Sequence, residues 1–399
     1  MRPSYYITFF IIFFFTGIFS CSKILPGLPE EDEILDGPVE GLTSEQNRRF
    51  LRGDAAFNDE IFNQAKGLGP LFVNNSCGSC HAGDGKGHPF STLTRFGQTD
   101  STGNTFLHLG GPQLQHRSII GFEAEEIPSG AAVAGFTPPA NTGLGFFEAV
   151  PDATILALAD ENDADGDGIS GRPNWIYIPQ YASLRNESIE RNGRYIGRFG
   201  KKSSVYDLLH QTVNAYNQDM GINSTYEHIS TYNGQEADPE ISNQTVQDVV
   251  FYLQTLRAPV QRKQNDADVK AGKQLFTTIN CSKCHIPELQ TGDFSISALS
   301  NKNFFPFTDM LLHDMGPALN DGYTEGSALS SEWRTPALWG LGLSQNSQGG
   351  QMFLMHDGRA TSIEQAIELH GGEAEASKEK FRQLNDSEKT QLLTFLRSL

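Results

Sequence analysis

The chain has almost no cysteine to spare. Of its 399 residues five are cysteine, and four of those fall in two short motifs. The fifth, Cys21, stands alone, so no pair remains for a structural disulfide, and the cysteine count assigns no redox compartment by itself. Positive charge is scarce too. Thirty Lys and Arg face 48 Asp and Glu, for a formal charge of −18. That balance lacks the basic footprint a nucleic-acid backbone requires. It fits an extracytoplasmic protein that meets a basic donor, and equally an acidic surface kept for solubility. The apolar run from Tyr5 to Phe15 is too short for a comfortable membrane span. With Arg2 before it, it reads as an export signal over residues 1–20.

That signal closes on Ile18-Phe19-Ser20-Cys21, which has the form of a lipoprotein box. A lipidated Cys21 would anchor the chain to a membrane, whereas a plain signal peptide would leave this cysteine incidental. Residues 21–44 are rich in Pro, Gly, Glu and Asp and read as a flexible tether. These features place the protein at a bacterial cell envelope, facing the periplasm.

What the chain does have is the same five-residue pattern twice. Cys77-Gly78-Ser79-Cys80-His81 and Cys281-Ser282-Lys283-Cys284-His285 both read C-x-x-C-H, the attachment signature of c-type haem. The two thiols add across the haem vinyl groups, and the adjacent histidine supplies the proximal imidazole to the iron. One copy could be a zinc or redox pair. Two copies point to two covalently bound haems c.

Each half repeats one order of elements. A helical run (Phe50, Leu51, Phe57; Val269 to Phe276) leads to the haem motif. A T-P then G-L-G segment follows (Thr137-Pro138 and Gly143-Leu144-Gly145; Thr335-Pro336 and Gly340-Leu341-Gly342). A closing amphipathic helix ends each half, at Val246 to Leu256 and at Ser387 to Leu399. The period is far longer than that of a solenoid. The expectation is a mainly α protein with two cytochrome c-like haem domains in tandem and long loop-rich insertions. The domains would span 45–260 and 261–399, with a boundary near residues 258–266.

The second half carries longer phrases: Leu311-Leu312-His313-Asp314-Met315-Gly316, Trp333-Arg334-Thr335-Pro336-Ala337-Leu338-Trp339-Gly340, Met355-His356-Asp357-Gly358-Arg359-Ala360 and His370-Gly371-Gly372-Glu373-Ala374. The first half adds Gly197-Arg198-Phe199-Gly200 and Asp219-Met220-Gly221-Ile222. Together, over about residues 45–399, these resemble the bacterial di-haem oxidoreductase family, described as predicted thiol oxidoreductases. That family is related to di-haem cytochrome c peroxidases. One departure is Lys201, where the family often has a tryptophan after G-R-F-G, so an electron-relay role does not carry over to that position. No spare cysteine pair supports the thiol label.

The resemblance implies axial ligands. In the related peroxidases the sixth ligand of the C-terminal haem follows an x-H-x-G phrase and a short helix. Met355-His356-Asp357-Gly358 and Ile363-Glu364-Gln365-Ala366-Ile367 match that order, which puts the ligand at His370. A bis-histidine haem there is low-spin and of lowered potential. The alternative is a capping histidine before Gly371-Gly372. His313, Met310, Met315, Met352 and Met355 are the other residues of ligating type, and His356 reads better as a hydrogen-bonding residue between domains. Carried onto the first half, the alignment sets Asn162, a poor ligand, opposite His370. No motif brings His88, His108 or His116 to the iron. The N-terminal haem is therefore the candidate open site, and Glu148 falls on its distal side. A carboxylate there could move a proton between the oxygens of a peroxide; an ordinary capping Glu is the alternative.

Asp163, Asp165 and Asp167 alternate in D-A-D-G-D-G, with Gly168 at the sixth place. This resembles a Ca²⁺ loop, although Asn174 replaces the usual Glu at the twelfth. A solvated acidic turn competes with it. The functional expectation is a peroxidase-like oxidoreductase that takes electrons from a periplasmic protein and reacts with peroxide or another small oxidant. A non-catalytic di-haem electron carrier and a haem sensor or accessory protein are the alternatives.

Overall fold

The computed structural model describes residues 34–97, 104–185, 187–235 and 237–399. The export signal, Cys21 and the tether up to residue 33 lie outside the described residues. No helix among the described residues is long and apolar enough to cross a membrane.

Among the described residues ten α-helices carry the fold: α1 (Ser44–Asp54), α2 (Leu144–Glu148), α3 (Asp152–Leu158), α4 (Leu208–Asn214), α5 (Asn243–Thr255), α6 (Ala267–Thr278), α7 (Ser344–Ser347), α8 (Ile363–Glu368), α9 (Glu375–Gln383) and α10 (Asp386–Ser398). Side-chain caps mark where the long ones begin. Thr43 and Gln46 form a capping box at α1, and Asn385 and Glu388 do the same at α10. Ser242 caps α5 and Asp266 caps α6. Each cap satisfies amide groups that have no partner in the first turn. The strands are short antiparallel ribbons. The longest pair is β1 (Leu93–Gly97) with β2 (Ala132–Phe136), and β3 (Leu312–Asp314) pairs with β4 (Glu332–Arg334).

The repeat read in the sequence reappears as a repeat of close contacts. A Cβ on Gly53 of α1 would lie 2.1 Å from the Asp248 carbonyl and 2.6 Å from the Tyr252 Cβ. One on Gly272 of α6 would lie 2.1 Å from the Gln391 carbonyl and 2.7 Å from the Phe395 Cβ. So α1 crosses α5, and α6 crosses α10, at a glycine that lets the backbones touch. The second glycine of each G-L-G does likewise. Gly145 presses on the Gln254 carbonyl and Gly342 on the Arg397 carbonyl, each two residues past the aromatic ring. Phe57 and Phe276 then stand beside the two motif histidines, with ring centroids 6.0 and 6.4 Å from His81 and His285.

The two halves do not stand apart. Residues Leu35–Leu399 form one compact unit. Its largest core cluster joins Phe50, Phe147, Tyr252 and Leu253 to Leu289, Leu299, Phe304 and Trp339 from beyond residue 266. Another joins Ala134 and Phe136 to Leu319, Tyr323 and Trp333. Whatever boundary exists near 258–266 is covered by shared apolar packing on both sides.

Candidate functional site

Both C-x-x-C-H motifs open into one cavity. Cys77, Cys80 and His81 line it, and so do Cys281, Cys284, His285 and His370. Its wall is largely apolar, with Phe57, Phe136, Leu253, Phe276 and Leu396 among the lining residues.

His81, His285 and His370 are each held through one ring nitrogen. His81 Nδ1 lies 3.0 Å from the Pro139 carbonyl, His285 Nδ1 3.0 Å from the Phe307 carbonyl, and His370 Nδ1 2.7 Å from the Ala366 carbonyl. A carbonyl can only accept, so each Nδ1 carries the proton and each Nε2 keeps its lone pair. Burial pushes the His81 and His285 imidazoles down to about 4, which keeps them neutral. His370 is lowered as well, mainly by burial. It stands close enough to His285 for a charge on one to act on the other. The short helix α8, capped by Ser362, holds it through the Ala366 bond. In the first half the carbonyl comes from the T-P-P segment as its position suggests. In the second it comes from Phe307, well before Thr335-Pro336, so the two T-P phrases are not equivalent.

The thiols argue against a dithiol redox pair. Burial raises Cys77 and Cys281 to about 12 and raises Cys80 and Cys284 too. A reactive cysteine needs the opposite shift. Free imidazole Nε2 atoms, paired thiols and an apolar cavity shared by both motifs fit a haem at each one.

Three expectations are corrected. Glu148 does not line this cavity. It is buried in a separate one with Glu45, Arg49, Leu209, Gln247 and Gln254. It accepts from Gln254 Nε2 at 3.3 Å, and its Oε2 has no partner. Burial, then the nearby Asp207, raises it to about 7. The physical reason is helix phase: in α2 Phe147 faces the cavity, and the next residue points away from it. His313 is no ligand, because both its ring nitrogens are taken, Nε2 by Asp309 at 2.8 Å and Nδ1 by Glu373 at 2.7 Å. Those carboxylates outweigh burial and raise it well above the usual histidine range. Finally, Asp167 leaves the acidic loop to pair with Lys283 at 2.8 Å. Asp160 takes its place, and carboxylate oxygens of Asp160, Asp163 and Asp165 lie within 4.8 Å of one another.

Other expected residues fall as follows. His88 caps a local turn, while His108 and His116 are exposed, and none of the three lines the cavity. Asn162 is exposed outside it. His356 does line it, stacked on Trp333 at 3.7 Å between ring centroids, and its carbonyl accepts from Thr137 of the first half. Met315 and Met355 also line it. Within the G-R-F-G phrase Phe199 and Gly200 line the cavity, and Arg198 is structural. Arg198 is fully buried, pairs with Asp152, and donates to the carbonyls of Phe147 and Glu148 at 2.8 and 2.7 Å.

Two residues went unnoticed in the sequence. Asp219 lines the cavity near enough to Cys77 and Cys80 to raise both thiols, and burial lifts its own carboxyl to about 7. Arg95 acts against that rise. Its guanidinium is held by Glu325 at 2.9 Å, by Gln218 at 3.1 Å and by Gln113 at 3.3 Å. Asp219 belongs to the D-M-G-I phrase already singled out, which was its one signal. Arg95 had none. Met220, the next residue, also lines the cavity and packs in the main core.

Residues 133–399 match the family model described as "Di-haem oxidoreductase, putative peroxidase". No curated protein matches the sequence. Among solved structures the chain is similar to Kuenenia stuttgartiensis hydrazine synthase pressurized with 20 bar xenon. The TM-score is 0.42 and the identity 12%, over 94% of this chain and 98% of that one.

Proposed function

The chain belongs to the di-haem oxidoreductase family, and from that premise we propose that it is a peroxidase-like di-haem enzyme built as two cytochrome c-like units. Cys77 and Cys80 bind one haem covalently, and Cys281 and Cys284 the other. A c-type haem supplies iron that changes oxidation state and, where an axial position is open, takes a small oxidant such as peroxide. His285 and His370 would both hold the second haem, and a haem held by two imidazoles suits electron relay. His81 would hold the first. The observation that carries this reading is the asymmetry of the cavity: His370 stands close to His285, and none of His88, His108 and His116 reaches the cavity that His81 lines.

Proton handling falls to Asp219 rather than Glu148. A carboxyl that titrates near neutral pH can both take and return a proton. Arg95, fixed by its three partners, would set a positive charge in the cavity wall that favours an anionic group there. A periplasmic protein supplies the electrons, Cys21 anchors the chain to a membrane, and Asp160, Asp163 and Asp165 hold a structural Ca²⁺.

Electron paramagnetic resonance of the ferric holoprotein tests the reading. One high-spin and one low-spin haem are expected. The second reading is a di-haem electron carrier, and Met220 is the observation that favours it, since a thioether in the cavity could close the first site. It predicts two low-spin signals, and one-electron reduction then separates a carrier from an enzyme resting closed.

A further inference from the structure

Five Lys and Arg side chains line the cavity, and three of them pair with no carboxylate, whereas Arg95 pairs with Glu325 and Lys378 with Glu375. Lys86 lies on the turn after the first motif, Lys201 follows G-R-F-G, and Arg334 belongs to β4; all three line the cavity. Lys86 Nζ reaches only the Met355 carbonyl, at 3.4 Å. Arg334 donates from Nε to the Gly200 carbonyl at 3.0 Å and from Nη1 to the Thr335 carbonyl at 3.4 Å. Among the described residues no acceptor lies within hydrogen-bonding distance of Lys201 Nζ.

The nearest acids are already engaged. Asp357 pairs with Arg359 at 2.7 Å, and Asp309 with His313. Lys202, the next residue, shows how this fold holds a lysine that serves only structure. Its Nζ donates to the Leu329, Ser330 and Glu332 carbonyls and sits 3.7 Å over the Trp333 ring. Lys201 has none of that. Each of the three is half-buried, with its open part toward the cavity. Burial lowers the Lys201 amine well below the usual lysine range, and Lys86 and Arg334 lower it further. Lys86 falls to about 8 and Arg334 to about 10 for the same first reason. A buried charge without a counter-ion is costly, and three side by side call for an anion.

We propose that Lys201, Lys86 and Arg334 form a carboxylate site inside the cavity, filled by propionates of the haems, with Lys201 at its centre. The inference rests on the two-haem reading. Lys201 is placed for it, since its charge acts on His81 at one motif and on His356 of the second half. Its hydrogen bond to a propionate is charge-assisted and fixes the haem's orientation. The positive charge also favours the reduced haem.

The test uses holoprotein carrying haem labelled with ¹³C at the propionate carboxyls, in wild type, Lys201→Met and Lys201→Arg. Haem content by pyridine haemochrome checks the underlying reading separately, because fewer than two haems in wild type defeats that reading whatever Lys201 does. In Lys201→Met at least one midpoint potential is expected to fall, and the labelled carboxylate bands in redox-difference infrared spectra to move. Lys201→Arg restores both. Unchanged potentials and bands in Lys201→Met overturn the proposal. So does a saturable shift of the wild-type potentials with added acetate or phosphate, which assigns the site to a free anion. If Lys201→Met yields no holoprotein, the wild-type bands decide. Frequencies of water-exposed carboxylates overturn the proposal, and frequencies of hydrogen-bonded ones uphold it.

Discussion

His370 is held by one bond that leaves one nitrogen free, the 2.7 Å contact from Nδ1 to the Ala366 carbonyl. Its role shows in the spectrum of one haem only. His370→Ala is expected to turn the low-spin signal high-spin, and His370→Met to keep it low-spin at a higher potential, because a thioether donates less than an imidazole. A low-spin signal that survives His370→Ala removes it as ligand. Asp219 and Glu148 separate by where they point. Asp219→Asn is expected to lower kcat/KM for peroxide by roughly 10²-fold or more, and Glu148→Gln to leave it unchanged. Glu148 instead shapes stability. Its folded pKa of about 7 lies above the ordinary 4.5, so the folded chain holds the extra proton between those values. The penalty for burying the anion is absent below that window, grows through it and is complete above about pH 7. Glu148→Gln should therefore match wild type near pH 4.5 and exceed it near pH 8, by on the order of 3 kcal/mol. Equal melting at both pH values would refute this. The three histidines could be singled out in the sequence because C-x-x-C-H and the x-H-x-G spacing are local patterns, and all three line the cavity. It misplaced Glu148 because which side of a five-residue helix faces a cavity depends on tertiary packing. It missed Arg95 because the partners that fix it, Gln113, Gln218 and Glu325, are brought together only by folding.

At the scale of elements the repeat is what was legible. The order helix, motif, G-L-G, helix survives as two equivalent crossings, α1 on α5 and α6 on α10, each closed on a glycine. A pattern of spacings can reveal this because helix pairs need a small residue wherever the backbones touch. The extent of the insertions was not legible. The β1–β2 ribbon and the loops around Arg95 follow no hydrophobic period, and their place is set by contacts to residues 319–333. Gly53→Ala and Gly272→Ala test the equivalence together. An added methyl meets a carbonyl 2.1 Å away in both, so the helices must part, at a cost of about 1–3 kcal/mol or more. Both variants are expected to melt earlier by similar amounts. Each should also disturb the haem nearer its own crossing more, since Phe57 and Phe276 lie just beyond these glycines and pack beside His81 and His285. A large loss at one site with none at the other would mean that the two crossings carry different loads.

For the whole molecule the question is how far the halves fold alone. The sequence pointed to two domains joined near 258–266, but the main core draws Leu289, Leu299, Phe304 and Trp339 into the first half's packing. One cavity receives both motifs. Two consequences follow from a core whose centre is a shared cavity lined by apolar side chains and three unpaired cations. The ligands that fill it belong to the folded state, so their binding free energy is part of its stability. And because the wall is common, losing either ligand exposes surface that both halves need covered. Chain made without haem attachment is therefore expected to show helical far-ultraviolet circular dichroism but weak near-ultraviolet signal and no cooperative melt. A Cys281→Ala/Cys284→Ala variant, which keeps the first motif intact, should still broaden the spectrum of the first haem and lower its unfolding temperature. Two independent domains would give the opposite result, an unchanged first haem and a second transition that simply disappears. The shared packing of Phe147 with Phe304 and Trp339, at centroid distances of 5.9 and 4.8 Å, makes the coupled outcome the expected one, because those rings cross from one half to the other at the cavity wall where Trp339 lies.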